Sequence, residues 1–114
     1  METLFTKLKE YLQMEEEIPF KEFSQYYKNL MEVLNTGFAD FDEDECIKAR
    51  YICSIVQANA DSRSKSSKVN TKAFKKFNAK CGFWFDAINF RLLKEGKTQQ
   101  EIDEATQAIN DTIE

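Results

Sequence analysis

The sequence predicts an all-α fold, a compact bundle of about five helices. Hydrophobic residues make up 42% and aromatic residues 13% of the 114 positions, a composition too apolar for a disordered chain. Three Gly and one Pro are too few for the turns of a many-stranded β fold. Apolar residues also recur at helical spacing along most of the chain. A chain of this length buries one core, so we expect a single helical domain over residues 1–114.

The first two helices are predicted over about residues 2–14 and 20–35. Leu4, Leu8 and Leu12 repeat at four-residue steps, which is typical of an amphipathic helix. Pro19 then suits the start of a second helix, because proline fixes a helical φ and needs no hydrogen-bond acceptor there. An apolar stripe follows it, and Asn35 and Gly37 supply the C-terminal stop.

The third helix is predicted over about residues 43–61. Asp42 and Glu45 have the spacing of an acidic capping box, in which each side chain binds the other residue's backbone amide. Apolar residues occupy most of the helical wheel, so we expect a largely buried helix. A polar strip of Glu43, Arg50, Ser54 and Gln57 is expected to face solvent. A Ser-rich basic connector over residues 61–70 is expected to follow.

The fourth and fifth helices are predicted over about residues 71–95 and 99–113. Gly96 supplies the end of the fourth helix, since glycine readily adopts the left-handed conformation found there. Thr98 and Glu101 form a second capping box at the start of the fifth.

The fourth helix has apolar residues on two opposite faces. One arc is typical of a core-facing stripe and comprises Phe74, Phe77, Cys81, Trp84, Phe85, Ile88 and Leu92. The opposite arc, the outward face, comprises Lys72, Lys76, Phe83, Ala87, Phe90 and Lys94. A helix apolar on all sides favours burial, so Phe83 and Phe90 are expected between neighbouring helices. The alternative is an exposed aromatic patch flanked by lysines, which would mark an interaction site.

Positive charge is concentrated in one part of an acidic chain. The net charge is -4, yet residues 62–85 carry seven Lys or Arg and no Asp or Glu. Ordinary solvated surfaces mix both signs, so this basic segment, residues 63–80, is a candidate binding surface. A solvated loop between two helices is the structural alternative.

Catalytic and metal-binding patterns find little support. The chain has no histidine, which removes Cys-His and Ser-His pairs, and it has no Gly-rich phosphate loop. Cys46, Cys53 and Cys81 lack the close spacing of a zinc site, and residues 40–51 lack the sixth-position Gly of a calcium loop. We therefore expect no enzyme activity, no metal and no cofactor, with the cysteines serving as small buried hydrophobes.

The cysteine pattern and the hydropathy predict a cytoplasmic protein. An odd number of cysteines without close pairs argues against a disulfide framework and favours a reducing compartment. No apolar run approaches the ~20 residues that span a bilayer, and no membrane partner is expected.

The leading hypothesis is a non-catalytic helical binding module whose basic segment contacts nucleic acid or a complex that contains it. Basic side chains would neutralise phosphates, and exposed aromatic rings would stack on bases. The expected contact residues are Arg63, Lys65, Lys68, Lys72, Lys75, Lys76, Lys80, Phe83 and Phe90.

The alternative hypothesis is a protein–protein inhibitor or adaptor. Such a protein would occupy its partner either with an acidic N-terminal half that imitates nucleic acid or with the aromatic face of the fourth helix. The candidate acidic surface comprises Glu15, Glu16, Glu17, Asp40, Asp42, Glu43 and Asp44.

Overall fold

The structure, a computed structural model, describes residues 1–14 and 16–113, and within these ranges it contains five α-helices and no strand. The helices are α1 (Glu2–Leu12), α2 (Phe20–Gly37), α3 (Glu43–Ser66), α4 (Thr71–Lys94) and α5 (Gln99–Ile113), with a short 3₁₀ helix, Phe38–Asp40, between α2 and α3. The predicted bundle of about five helices is confirmed. None of the helices in these ranges has the length and hydropathy needed to cross a membrane.

Helix ends with a local sequence signal lie where the sequence predicts them. At the start of α3, the Glu45 amide donates to Asp42 Oδ1 at 2.8 Å and the Asp42 amide donates to Glu45 Oε1 at 3.2 Å. The Thr98–Glu101 pair makes the equivalent two bonds before α5. Gly96 has φ 104° and ends α4, with the Lys97 amide reaching back to the Leu92 carbonyl at 3.2 Å.

The end of α3 differs from the prediction. The helix continues to Ser66, so residues 61–66 are helical and the connector between α3 and α4 is confined to residues 67–70. Arg63 provides the physical reason, because its side chain packs over the rings of Phe23 and Phe74 and holds the last turns of α3 against the body of the protein. In a smaller difference, α1 ends at Leu12 instead of residue 14.

The helices α3 and α4 form the central antiparallel pair and share the most extensive contact in the fold. Arg50 near the start of α3 donates to Asn89 near the end of α4 at 3.1 Å, and Asp61 farther along α3 accepts from Asn78 in the first half of α4. The two helices therefore run in opposite directions. Between these two contacts, Gly82 lies against Gln57. A four-residue connection is typical of such antiparallel neighbours. The helix α5 packs mainly on α3.

An aromatic cluster holds α2 against α4. The rings of Tyr27 and Phe77 stack with their centroids 4.1 Å apart, and Phe23 contacts both Phe74 and Phe77. This cluster buries Phe74 and Phe77 of the predicted core-facing stripe of α4; Cys81, Ile88 and Leu92 are buried farther along the helix, and Trp84 and Phe85 remain partly exposed. The three cysteines are free and fully buried, as predicted.

One residue of the predicted polar strip on α3 was placed wrongly. Arg50 is only 6% exposed. Its guanidinium lies 4.4 Å from the centre of the Phe85 ring and donates to Asn89, Thr106 and Asp103. Partners on α4 and α5 explain the burial, because they satisfy the charge that solvent would otherwise hydrate.

Candidate nucleic-acid interface

The outward face of α4 is exposed, and the expectation that Phe83 and Phe90 are buried is wrong. Phe83 is 63% and Phe90 62% exposed. Within the described part of the chain, α2 and α3 cover the opposite side of α4, where Phe74, Phe77 and Ile88 are buried, and no helix covers the outward side. From Lys72 to Lys94 the face is about 33 Å long at the rise of an α-helix. It is large enough to contact a macromolecule.

Five lysines of the basic segment make no ion pair with any residue that the structure describes. They are all exposed and comprise Lys68, Lys72, Lys75, Lys76 and Lys80. Lys65 is also exposed but lies 3.3 Å from Asp61 one turn earlier. The helix α4 as a whole carries six basic residues and one acid, Asp86. Uncompensated positive charge along one helix creates a local field that attracts anions.

Arg63 does not belong to this exposed surface. Its side chain is 12% exposed, and its Nε lies 3.3 Å from Glu17 Oε2. A second nitrogen donates to the Ile18 carbonyl, which ties α3 to the segment before α2. The sequence placed Arg63 on a flexible connector, whereas the structure gives it a packing role inside a helix. It is therefore not available for phosphate contact.

A groove between α2 and α4, the α2–α4 groove, has a volume of about 460 Å³. Tyr27, Lys28, Met31 and Glu32 line it from α2. Lys76, Lys80, Phe83 and Trp84 line it from α4. Lysines thus line the groove from both helices, and Glu32 is the one acid among the described lining residues.

The aromatic side chains of the α2–α4 groove are held in place by packing. The Phe83 ring meets the Trp84 ring edge to face at 5.6 Å, and Trp84 meets Phe38 in the same way at 5.3 Å. Burial raises the pKa of Tyr27 to about 12, so its hydroxyl stays protonated at neutral pH. Phe83 presents its ring to solvent beside Trp84.

Sequence reasoning missed the contribution of Lys28. It lies on the exposed side of α2, 48 positions before Lys76, and no local pattern connects the two residues. The packing of Phe23 and Tyr27 on Phe77 brings α2 beside α4 and places Lys28 in the same groove. Lys94 also joins the outward face, with its ammonium 5.7 Å from the centre of the Phe90 ring.

A second groove borders Phe83 on the other side, between α3 and α4. Its charged lining residues are Asp61, Lys65, Lys75 and Asp86, which balance each other. Phe83 thus forms a ridge between a neutral groove and a positive one. An anionic ligand that contacts Phe83 is expected to extend toward the α2–α4 groove.

The candidate acidic surface does not form one patch. Glu15 lies outside the described residues. Glu17 pairs with Arg63 near the end of α3, whereas Glu43 begins that helix and pairs with Lys97 at 2.8 Å. Twenty residues of helix separate Glu43 from Arg63, so the two acidic groups lie about 30 Å apart.

Most of the remaining candidate acids also have partners within the molecule. Asp42 caps α3, and Asp44 lies 3.1 Å from Lys48. Glu16 and Asp40 are exposed. Because caps and internal ion pairs account for four of the six described acids, little of this charge is free to imitate nucleic acid.

The buried thiols are poorly suited to nucleophilic chemistry. Burial raises the pKa of Cys46 and of Cys53, and it raises the pKa of Cys81 to about 12. All three therefore carry their protons at neutral pH. Within residues 1–14 and 16–113, no three His, Cys, Asp or Glu side chains are arranged to hold a metal ion.

Comparison of the chain with models of protein families, with curated proteins and with solved structures finds no match in any of the three.

Proposed function

We propose that the protein is a non-catalytic module that binds nucleic acid, or a complex containing it, through the exposed side of α4 and the preceding connector. The observation that carries this proposal is the set of five exposed lysines between residues 68 and 80 with no described ion-pair partner. Such lysines can neutralise phosphates and release the counterions bound to them.

Two further observations favour a polyanion with bases over a simple anion. The face extends for about 33 Å, so several phosphates can be contacted at once. Phe83 and Phe90 stand exposed among the lysines, and every base offers a π-face to such rings. Three buried free thiols suit a reducing compartment, and we place the module in the cytoplasm.

The alternative function is an adaptor or inhibitor that docks a protein on the aromatic face of α4. The observation that favours it is an apolar group of three exposed side chains, Phe83, Phe90 and Leu93. An acidic amphipathic helix would complement this face in charge and hydropathy. Docking through the acidic residues has less support, since they are divided between two ends of α3.

A titration with labelled DNA and RNA, single-stranded and duplex, tests the proposal at two salt concentrations. We expect binding at low salt that weakens as salt rises, because the contacts are mainly to phosphate. The variant Lys72→Glu/Lys76→Glu should lose about tenfold or more in affinity, since two attractive contacts become repulsive.

A variant with the same change in net charge provides the control. Lys7→Glu/Lys9→Glu alters α1, which packs mainly on α2 and α3, and should bind nearly as well as the parent protein. Equal losses in the two variants would show that net charge, and not the α4 surface, governs binding. No binding to any nucleic acid at low salt would overturn the proposal and leave the adaptor.

A further inference from the structure

We infer that the ligand of this surface is a single strand, and that it lies in the α2–α4 groove with a base stacked on Phe83 and its phosphates near Lys28, Lys76 and Lys80. This inference rests on the proposed function. It assigns a binding role to Lys28 and a strand class to the ligand.

The charge of α4 argues against a second copy of the protein as the occupant. Two copies of the outward face would bring Lys72, Lys76 and Lys94 of one copy against the same three lysines of the other. Packing like charges opposite each other is unfavourable, and more so where apolar rings exclude water. The face therefore suits a ligand that is negatively charged along its length.

The exposed rings distinguish a single strand from a duplex. In a duplex the base faces are stacked on each other. A protein side chain that does not insert between base pairs meets only phosphates, sugars and base edges. Lysines alone would be sufficient to bind a duplex in this way. Among nucleic acids, Phe83 and Phe90, each more than three-fifths exposed, can stack only on a ligand whose base faces are free.

The geometry of the groove matches a strand with its phosphates outside and a base inside. Lys28 stands on one wall and Lys76 and Lys80 on the other, so phosphates can be held from both sides. Tyr27, Met31 and Trp84 line the same groove as the Phe83 ring. A flat base can pack against these side chains while its backbone stays near the lysines.

Glu32 is expected to orient the strand in the α2–α4 groove. Its carboxylate repels phosphate, so the backbone should run past the lysines and turn only base edges toward Glu32. A carboxylate accepts hydrogen bonds from amino groups such as that of cytosine. Phe90 lies two helical turns beyond Phe83, about 10.5 Å along α4, where it can receive a later base of the same strand.

The chain carries its own reporter for this contact. Trp84 is the one tryptophan in the sequence, and it lines the α2–α4 groove in contact with Phe83. We expect a single strand to change the emission of Trp84 in a saturable way. A duplex of the same sequence should leave the emission unchanged, even where it binds weakly to the lysines.

The deciding experiment compares an oligonucleotide of about 16 nucleotides, the upper end of one domain's site size, with its duplex by fluorescence anisotropy at low salt. Phe83→Ala should weaken single-strand binding about tenfold, as expected for the loss of one stacked base, and leave duplex binding unchanged. Lys28→Glu should weaken single-strand binding by a similar factor.

Two matched controls separate the groove from general effects. Met14→Ala removes an apolar side chain that is 51% exposed between α1 and α2, and Lys7→Glu reverses an exposed lysine on α1. Both should bind the single strand like the parent protein. The four altered residues are exposed, and among them only Lys7 makes a described ion pair, with Glu10 at 3.4 Å, so the fold should be unaffected.

The outcomes distinguish this inference from the function on which it rests. If nucleic acid binds but the duplex binds as tightly as the single strand, or Phe83→Ala has no effect, the inference is overturned and the proposed function stands. If neither form binds at low salt, the proposed function fails and the inference fails with it. If the single strand binds more tightly than the duplex and both Phe83→Ala and Lys28→Glu weaken single-strand binding, the inference and the proposed function are both supported.

Discussion

The guanidinium of Arg50 connects three helices through one buried side chain. From α3 it donates to Asn89 on α4 at 3.1 Å, and to Thr106 at 2.7 Å and Asp103 at 3.0 Å on α5. Arg50→Ala should lower the free energy of unfolding by about 2–3 kcal/mol, because three hydrogen bonds to a buried charged group and its contact with the Phe85 ring are lost. Chemical denaturation at neutral pH measures the change.

An exposed ion pair provides the control for Arg50. Lys65 and Asp61 are 76% and 50% exposed in their side chains, so Lys65→Ala should cost less than about 0.5 kcal/mol. If Arg50→Ala were as mild as Lys65→Ala, the three-helix connection would contribute nothing beyond an ordinary surface contact, contrary to our expectation.

The buried thiols should make the fold sensitive to alkali. Burial raises the pKa of Cys81 to about 12 in the folded protein, whereas an unfolded thiol titrates near 8.5. Above the unfolded value only the unfolded chain releases the proton, so stability is complete below about pH 8.5 and falls as pH rises toward 12. Each such thiol contributes a slope of about 1.4 kcal/mol per pH unit.

Cys81→Ala tests this explanation. Between about pH 9 and 11 the variant should lose stability less steeply than the parent protein, by about the slope of one thiol. Urea midpoints under reducing conditions, taken at intervals across this range, supply the comparison. Parallel curves for the two proteins would assign the alkaline loss to other groups, such as Tyr26, whose pKa burial also raises.

At the scale of elements, Gly82 marks the close approach of α3 and α4. A Cβ at this position would lie 2.8 Å from Nε2 of Gln57, nearer than a contact allows. Gly82→Ala gains about 1 kcal/mol of helix propensity but must displace the Gln57 side chain, so alone it should change stability little. Combined with Gln57→Ala, it should show the full gain.

A double-mutant cycle measured by denaturation isolates this coupling. We expect the double variant to exceed the sum of the two single variants by about 0.5 kcal/mol or more. Additive effects would mean that Gln57 moves aside without cost, and that close helix packing does not explain the glycine.

Elements were predictable where the determining interaction is local in sequence. The Asp42–Glu45 and Thr98–Glu101 boxes and the turn at Gly96 involve residues within a few positions, and the structure has all three. The end of α3 was not predictable, because residues 61–66 are held by Arg63 contacts with Glu17 and Phe23, about 40 or more positions away.

The candidate site was predictable only in part for the same reason. The excess of lysines in residues 63–80 is visible in composition, and Phe83 and Phe90 follow from periodicity. Periodicity cannot show which of two apolar faces a neighbour covers, so it favoured burial where the structure has exposure. Lys28 joins the site only through tertiary packing.

At the scale of the whole molecule, charge segregation should confine a nucleic acid to one side. The net charge is -4, although α4 and its connector carry a local excess of lysines. Acidic residues elsewhere repel a phosphate backbone. A bound strand should therefore contact few basic residues outside the α2–α4 groove and the basic segment. The number of phosphates neutralised is therefore limited by the lysines of this surface.

That limit predicts the salt dependence of binding. The five lysines without an ion pair among the described residues and Lys28 allow about six phosphate contacts, and a single strand contributes about 0.7 per contact, so log K should fall against log salt with a slope of about −4. Lys72→Glu/Lys76→Glu should reduce the slope toward −2 or −3, since two contacts are lost. Anisotropy titrations at four salt concentrations measure both slopes.

A parent slope near zero would exclude phosphate contact as the source of affinity, and one far steeper than −4 would require basic residues beyond this surface. An unchanged slope in the variant would place the phosphates away from α4.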